Sequence, residues 1–202
     1  LRRLTYEGNC YAGTAPIRSA VNFVTSTDGT EIGYEKRGEG KPVVLIHGTS
    51  GTRKTWDAIA PVLAEKYAVV AYDRRGRGAS TDTEEYGLDR EVDDAKAVVD
   101  AVDGDPILFG HSFGGLVALE VARGTGLDGL VLYEPAILTD EHAENHDVVA
   151  RMEESIRDGH IREAVELYFR DAGGMTDPGE ELIDRGASIV DTILRECRIV
   201  EA

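Results

Sequence analysis

The chain has 202 residues, 42% apolar and 30% charged, which fits one soluble domain with enough chain for a core and excludes a disordered tail. Its 38 acids stand against 22 lysines and arginines, a formal charge of -16 that excludes nucleic acid, phosphate-binding surfaces and anionic membranes as expected partners. No apolar run approaches the roughly 20 residues that span a bilayer.

Residues 1–20 begin with Leu1, hold no signal-peptide apolar region and show no periodicity, so they read as an irregular leader outside the fold. From Val21 two short alternating runs are joined by Asp28-Gly29, a turn dipeptide that predicts an antiparallel β-hairpin. Val43 to Ile46 is a continuous apolar run of the kind that strands buried on both faces show. Trp56 to Lys66 carries apolar residues at helical spacing, and Tyr67 to Tyr72 reads as the next buried strand. Leu88 to Val102 is a second helix, with Val92, Ala95, Val98, Val99 and Val102 on one stripe. Pro106 to Phe109 predicts a further parallel strand, Ser112 to Arg123 a helix, and Leu127 to Tyr133 another strand. Alternating buried strands and amphipathic helices predict an α/β fold on a doubly wound, mostly parallel sheet over residues 21–138.

After Ile137 the alternation stops, and residues 139–202 show helical stripes only, which predicts a helical lid or cap. This segment holds 17 acids against 7 arginines, so most of the net charge sits in it. Cys10 and Cys197 lie near opposite ends without CxxC or Cys/His spacing. Neither a disulfide framework, a metal site nor any cofactor is therefore expected, and a reducing cytoplasm is the expected location.

Gly110-His111-Ser112-Phe113-Gly114-Gly115 carries the chemistry. A G-x-S-x-G that ends a buried strand and opens a helix is a nucleophile elbow, a tight turn that exposes a strained serine at the top of the sheet. The positive end of the following helix faces that serine. Ester attack by Ser112 needs backbone N–H groups aimed at the oxyanion, and Phe113, next in the chain, supplies one.

Three motifs in order resemble the α/β-hydrolase fold family, serine-nucleophile branch: His47-Gly48, Asp73-Arg74-Arg75-Gly76-Arg77-Gly78-Ala79-Ser80, and the Ser112 elbow, each following a predicted strand. The resemblance runs from about Val21 to Ile137 and into the lid. It implies a second oxyanion donor at Thr49 and an acid after strand seven or, in some members, strand six, so Glu134, just past the sixth strand, is either that acid or a cap and lid-hinge residue. His47 and His111 flank the site as candidate substrate-binding residues. His47 also reads as a structural turn residue, the side chain of His111 is expected to point away from the working face of Ser112, and Asp73 to Ser80 is expected chiefly to pack its own loop.

The family's order is serine, acid, histidine, with the histidine after an eighth strand. The 90 residues after Ser112 are mostly lid, so the chain resembles the first two-thirds of such a hydrolase and has no sequence for strands seven and eight. Three readings follow. The chain is a serine hydrolase of an ester-like or other acyl small molecule, with His142 or His146 of the lid as base; or a truncated, inactive product; or a non-catalytic binding protein that associates through the exposed sheet edge.

Overall fold

The computed structural model describes residues 20–138 and 147–202. Six strands form one sheet in the order β1-β2-β4-β3-β5-β6: β1 Asn22–Thr25, β2 Glu31–Arg37, β3 Lys41–Ile46, β4 Tyr67–Tyr72, β5 Ile107–His111 and β6 Gly129–Tyr133. The first two make the expected hairpin, closed by Ser26 N–H to the Thr30 carbonyl at 2.8 Å, and β2 also runs antiparallel to β4. The pairs β4–β3, β3–β5 and β5–β6 are parallel, so the sheet is mostly parallel as the alternating pattern predicts.

Side chains alternate across the central strands and feed two cores. Val44, Ile46, Val70, Tyr72 and Leu108 face α2 (Leu88–Asp100) and α3 (Phe113–Ala122). Val43, Leu45, Val69 and Ala71 face Trp56 and Ala60 on the other side. Both faces are covered, which is why β3 and β4 read as unbroken apolar runs rather than alternating ones.

The single helix expected over Trp56 to Lys66 is instead a 3-10 turn, Arg53–Trp56, followed by the one-turn helix α1, Ala60–Leu63. Pro61 has no N–H to give a helical bond back to Asp57, so the apolar spacing is met by two short pieces. Trp56 is buried, with its ring edge-on to Phe109 at 5.3 Å between centroids.

The second part is helical, as its stripes predict: α4 Val148–Arg157, α5 Ile161–Leu167 with a widened turn at Tyr168–Ala172, α6 Glu180–Ala187 and α7 Val190–Glu201. These helices share a third core around Met152, Val165, Phe169 and Ile193. Ile199 and Val200 at the end of α7 pack on the core that α2 and α3 cover, so the cap is seated on the sheet domain. Among the described residues β6 is the edge strand on the side away from the hairpin, with Leu130, Val131 and Tyr133 exposed.

Candidate active site

Ser112 stands between β5 and α3 with φ 54° and ψ -123°. A non-glycine residue in the left-handed region costs about 1–3 kcal/mol and persists only where its surroundings over-determine it. Here they do. The Ser112 N–H donates to the Tyr133 carbonyl at 3.0 Å, and its own carbonyl accepts from Gly115, Leu116 and Ala136 at 2.8, 3.2 and 3.0 Å. The glycines around it answer to close approach: a Cβ on Gly114 would sit 2.4 Å from the Ile46 carbonyl oxygen, and one on Gly110 2.3 Å from that of Gly114.

The loop after β3 lies against the serine. A Cβ built on Gly48 would fall 3.0 Å from the Ser112 Cβ and 3.2 Å from His111 Nδ1. The Gly48 carbonyl accepts the Gly51 N–H at 3.0 Å and faces His47 Nδ1 at 2.8 Å. In a trans peptide the C=O and N–H are antiparallel, so the Thr49 N–H faces the opposite way. Among the described residues neither the Thr49 N–H nor the Phe113 N–H has an acceptor, although both residues are buried. Phe113 opens α3, where the first N–H groups have no intrahelical partner.

The two histidines flanking the site differ in role. His47 is fully buried: its Nε2 accepts the Arg74 N–H at 3.1 Å and its Nδ1 meets the Gly48 carbonyl. Burial first, then the charges of Arg74 and Arg77, hold its pKa well below the ordinary value. It is thus a neutral structural link inside the loop. His111 is half-buried beside the Tyr133 ring, 5.3 Å between centroids, and burial lowers its pKa against the opposing pull of Glu134. Glu134 is exposed, directly after β6, and is the second non-glycine residue with positive φ, 46°. The turn that strains it also supplies the Ala136 N–H to Ser112.

The structure therefore gathers Ser112, Phe113, Thr49, His111, His47 and Glu134 at the carboxyl ends of β3, β5 and β6. No hydrogen bond joins Ser112 to a histidine among the described residues; His142 and His146 lie outside them, as does Cys10. His160 is exposed at the start of α5, 3.6 Å from Glu163. No group of three His, Cys, Asp or Glu side chains among the described residues is arranged to hold a metal.

Residues 43–195 match the model of the alpha/beta hydrolase family. The chain belongs to that family. This alpha/beta hydrolase is 28% identical over 155 residues to the uncharacterized hydrolase YraK of Bacillus subtilis, covering 74% of this chain and 57% of that one. It is 41% identical over 105 residues to a non-heme haloperoxidase of Rhodococcus erythropolis, half of this chain and 38% of the relative. Among solved structures, an alpha/beta hydrolase from Sphaerobacter thermophilus superposes with a TM-score of 0.69 at 32% identity, over 89% of this chain and 69% of the other. An esterase from Rhodococcus sp. ECU1013 does so with a TM-score of 0.63 at 30% identity, over 90% and 71%. The chain thus spans 57% of the length of YraK and less of the haloperoxidase.

Around the site the sequence reading missed a buried ionic cluster. Arg74 pairs with Glu91 of α2, by Nε at 3.1 Å and Nη2 at 2.7 Å, and both Arg74 and Arg77 meet Glu196 of α7. The Arg74 guanidinium also lies 4.5 Å over the Phe113 ring. One signal was available: Glu196 falls on the apolar stripe Ile189, Ile193, Val200, where a solvated acid does not belong.

Proposed function

We propose that this alpha/beta hydrolase cleaves an ester-like or other acyl small molecule, with Ser112 as nucleophile. The observation that carries the reading is the pairing of a strained, positive-φ Ser112 with two adjacent N–H groups, those of Phe113 and Thr49, that have no acceptor among the described residues. In this reading Ser112 Oγ attacks the carbonyl carbon, and the oxygen that becomes anionic takes hydrogen bonds from both N–H groups. Collapse of the tetrahedral adduct expels the alcohol and leaves an acyl-serine, which water hydrolyses. Groups placed this way cost no reorganisation when the charge develops, and each lost donor costs about 3–4 kcal/mol in enzymes of this chemistry.

Glu134 acts as the acid of the triad, at the end of β6 beside the elbow. The base that takes the Ser112 proton comes from the cap, at His142 or His146. The name of one similar protein, an esterase, supports an acyl substrate class and leaves the particular acyl group open. The cap, with its exposed acids, faces the same end of the sheet and would set that preference.

The exposed edge at β6, and a Ser112 that hydrogen-bonds no histidine among the described residues, favour a second reading, an inactive or purely binding protein. A fluorophosphonate probe separates the two. Stoichiometric labelling that Ser112→Ala abolishes supports the hydrolase, together with turnover of a p-nitrophenyl ester. A folded chain that takes up no label overturns it.

A further inference from the structure

The cap reaches the loop beside Ser112 through one acidic side chain. Glu196, on α7, is 1% exposed, and its Oε1 lies 2.9 Å from Arg74 Nη2 and 2.8 Å from Arg77 Nη2. Burying three charges costs more in lost hydration than their attraction returns unless each is also well hydrogen-bonded. A helix that needed only to dock would be held as well by apolar contacts. The arginines spend their remaining donors on the loop after β3. Arg77 grips the Thr49 carbonyl with Nε and Nη2, at 3.1 and 2.6 Å. Arg74 reaches the His47 carbonyl with Nη1 at 3.4 Å and gives its main-chain N–H to the His47 ring.

The consequence is that all three carbonyls of residues 47–49 are engaged: the outer two by guanidinium groups held from the cap, the middle one from within the loop. With the His47 and Thr49 carbonyls both held by guanidinium groups, the loop's orientation relative to Ser112 follows from where those groups sit. The two arginines are not equally secure. Arg74 keeps a bidentate partner in Glu91 without the cap, whereas Glu196 is the carboxylate that pairs with Arg77 among the described residues, and Arg77 Nη1 is buried with no acceptor.

We propose that Glu196 is a positioning residue, which through Arg77 fixes the His47–Gly51 loop and so couples seating of α7 to assembly of the oxyanion site. This rests on reading Ser112 as nucleophile and Thr49 as an oxyanion donor. Tyr168, also from the cap, stands beside Thr49, a second approach of the same two parts.

The test uses the full chain, its Glu196→Gln and Arg77→Lys variants, and Arg198→Gln as a control on the exposed Arg198–Glu153 pair between α7 and α4. Labelling by an alkyl fluorophosphonate is followed against probe concentration to separate the maximal rate from the half-saturating concentration. Amide exchange is measured for residues 45–51 and, as reference, for α2. Glu196→Gln and Arg77→Lys are each expected to lower the maximal labelling rate about tenfold, a partial loss of one donor, with half-saturation unchanged. Exchange should quicken in residues 45–51 and not in α2, and Arg198→Gln should alter neither. Unchanged loop exchange in both variants, or equal quickening in the loop and in α2, overturns the proposal. If the unaltered chain takes no label, the nucleophile reading fails, and loop exchange still decides the coupling by the same two outcomes.

Discussion

The Nε2 of His47 accepts the main-chain N–H of Arg74 at 3.1 Å. An accepting Nε2 puts the one ring proton on Nδ1, against the Gly48 carbonyl, and requires a neutral imidazole. In the unfolded chain the same group protonates near its ordinary value of 6.5, while in the fold it resists to well below that. The unfolded state therefore binds the extra proton, and stability contributed by His47 is fully present above 6.5 and is lost as pH falls below it. The unfolding free energy from urea titrations should fall on acidification by up to about 1.4 kcal/mol per pH unit from this residue. His47→Gln should lose that part of the slope. Parallel pH profiles for the two proteins would exclude His47 as its source.

Gly114→Ala should be strongly destabilising. The added methyl meets main-chain atoms of Ile46 and His47 at 2.4 to 2.7 Å, and backbone in a sheet cannot move aside as a side chain does. A cost of about 3 kcal/mol, the upper end for overpacking, is expected in thermal or urea unfolding. Gly124→Ala meets nothing within 4 Å and should stay within about 0.5 kcal/mol of the parent. Equal effects of the two substitutions would contradict the packing of α3 on β3.

Arg75 and Asp94 form a buried two-bonded pair, with Nε–Oδ2 at 2.7 Å and Nη2–Oδ1 at 2.8 Å. Asp94→Ala leaves Arg75 with Asp28, at 3.0 Å, as its remaining carboxylate. A loss of about 3 kcal/mol is expected, because removing one member strands a buried charge. The double variant Arg75→Met with Asp94→Ala should recover part of that loss. Additive losses in the double-mutant cycle would show that the pair is not coupled.

Glu134 should trade stability for reactivity. Glu134→Gly relieves the positive φ and is expected to raise unfolding free energy by about 1 kcal/mol while slowing fluorophosphonate labelling of Ser112. Glu134→Gln keeps the strained backbone, so its stability should match the parent while labelling slows as much. Labelling at the parent rate in both variants would remove Glu134 from the reaction.

The elbow was legible because its requirements are local. Gly110, Ser112 and Gly114 stand at fixed spacing, and the strand before and the helix after show in apolar periodicity alone. The Asp28-Gly29 hairpin was legible for the same reason. The break at Pro61 also has a local cause, yet it was hidden by apolar spacing that two short pieces satisfy as well as one helix. The ionic cluster was not legible, since Arg74 and Glu196 stand 122 residues apart and nothing along the chain says which arginine an acid on α7 will meet.

By itself the sequence determined the layered α/β order, the elbow serine and the separate helical cap, since each follows from short-range spacing and backbone preference. Tertiary structure decided that His47 is a neutral internal link, that the Thr49 and Phe113 N–H groups have no acceptor among the described residues, and that a cap carboxylate lies against the arginines of the loop after β4. Those facts depend on burial and on contacts between distant segments, where the cost of an unpaired charge or N–H, and not local propensity, selects the arrangement.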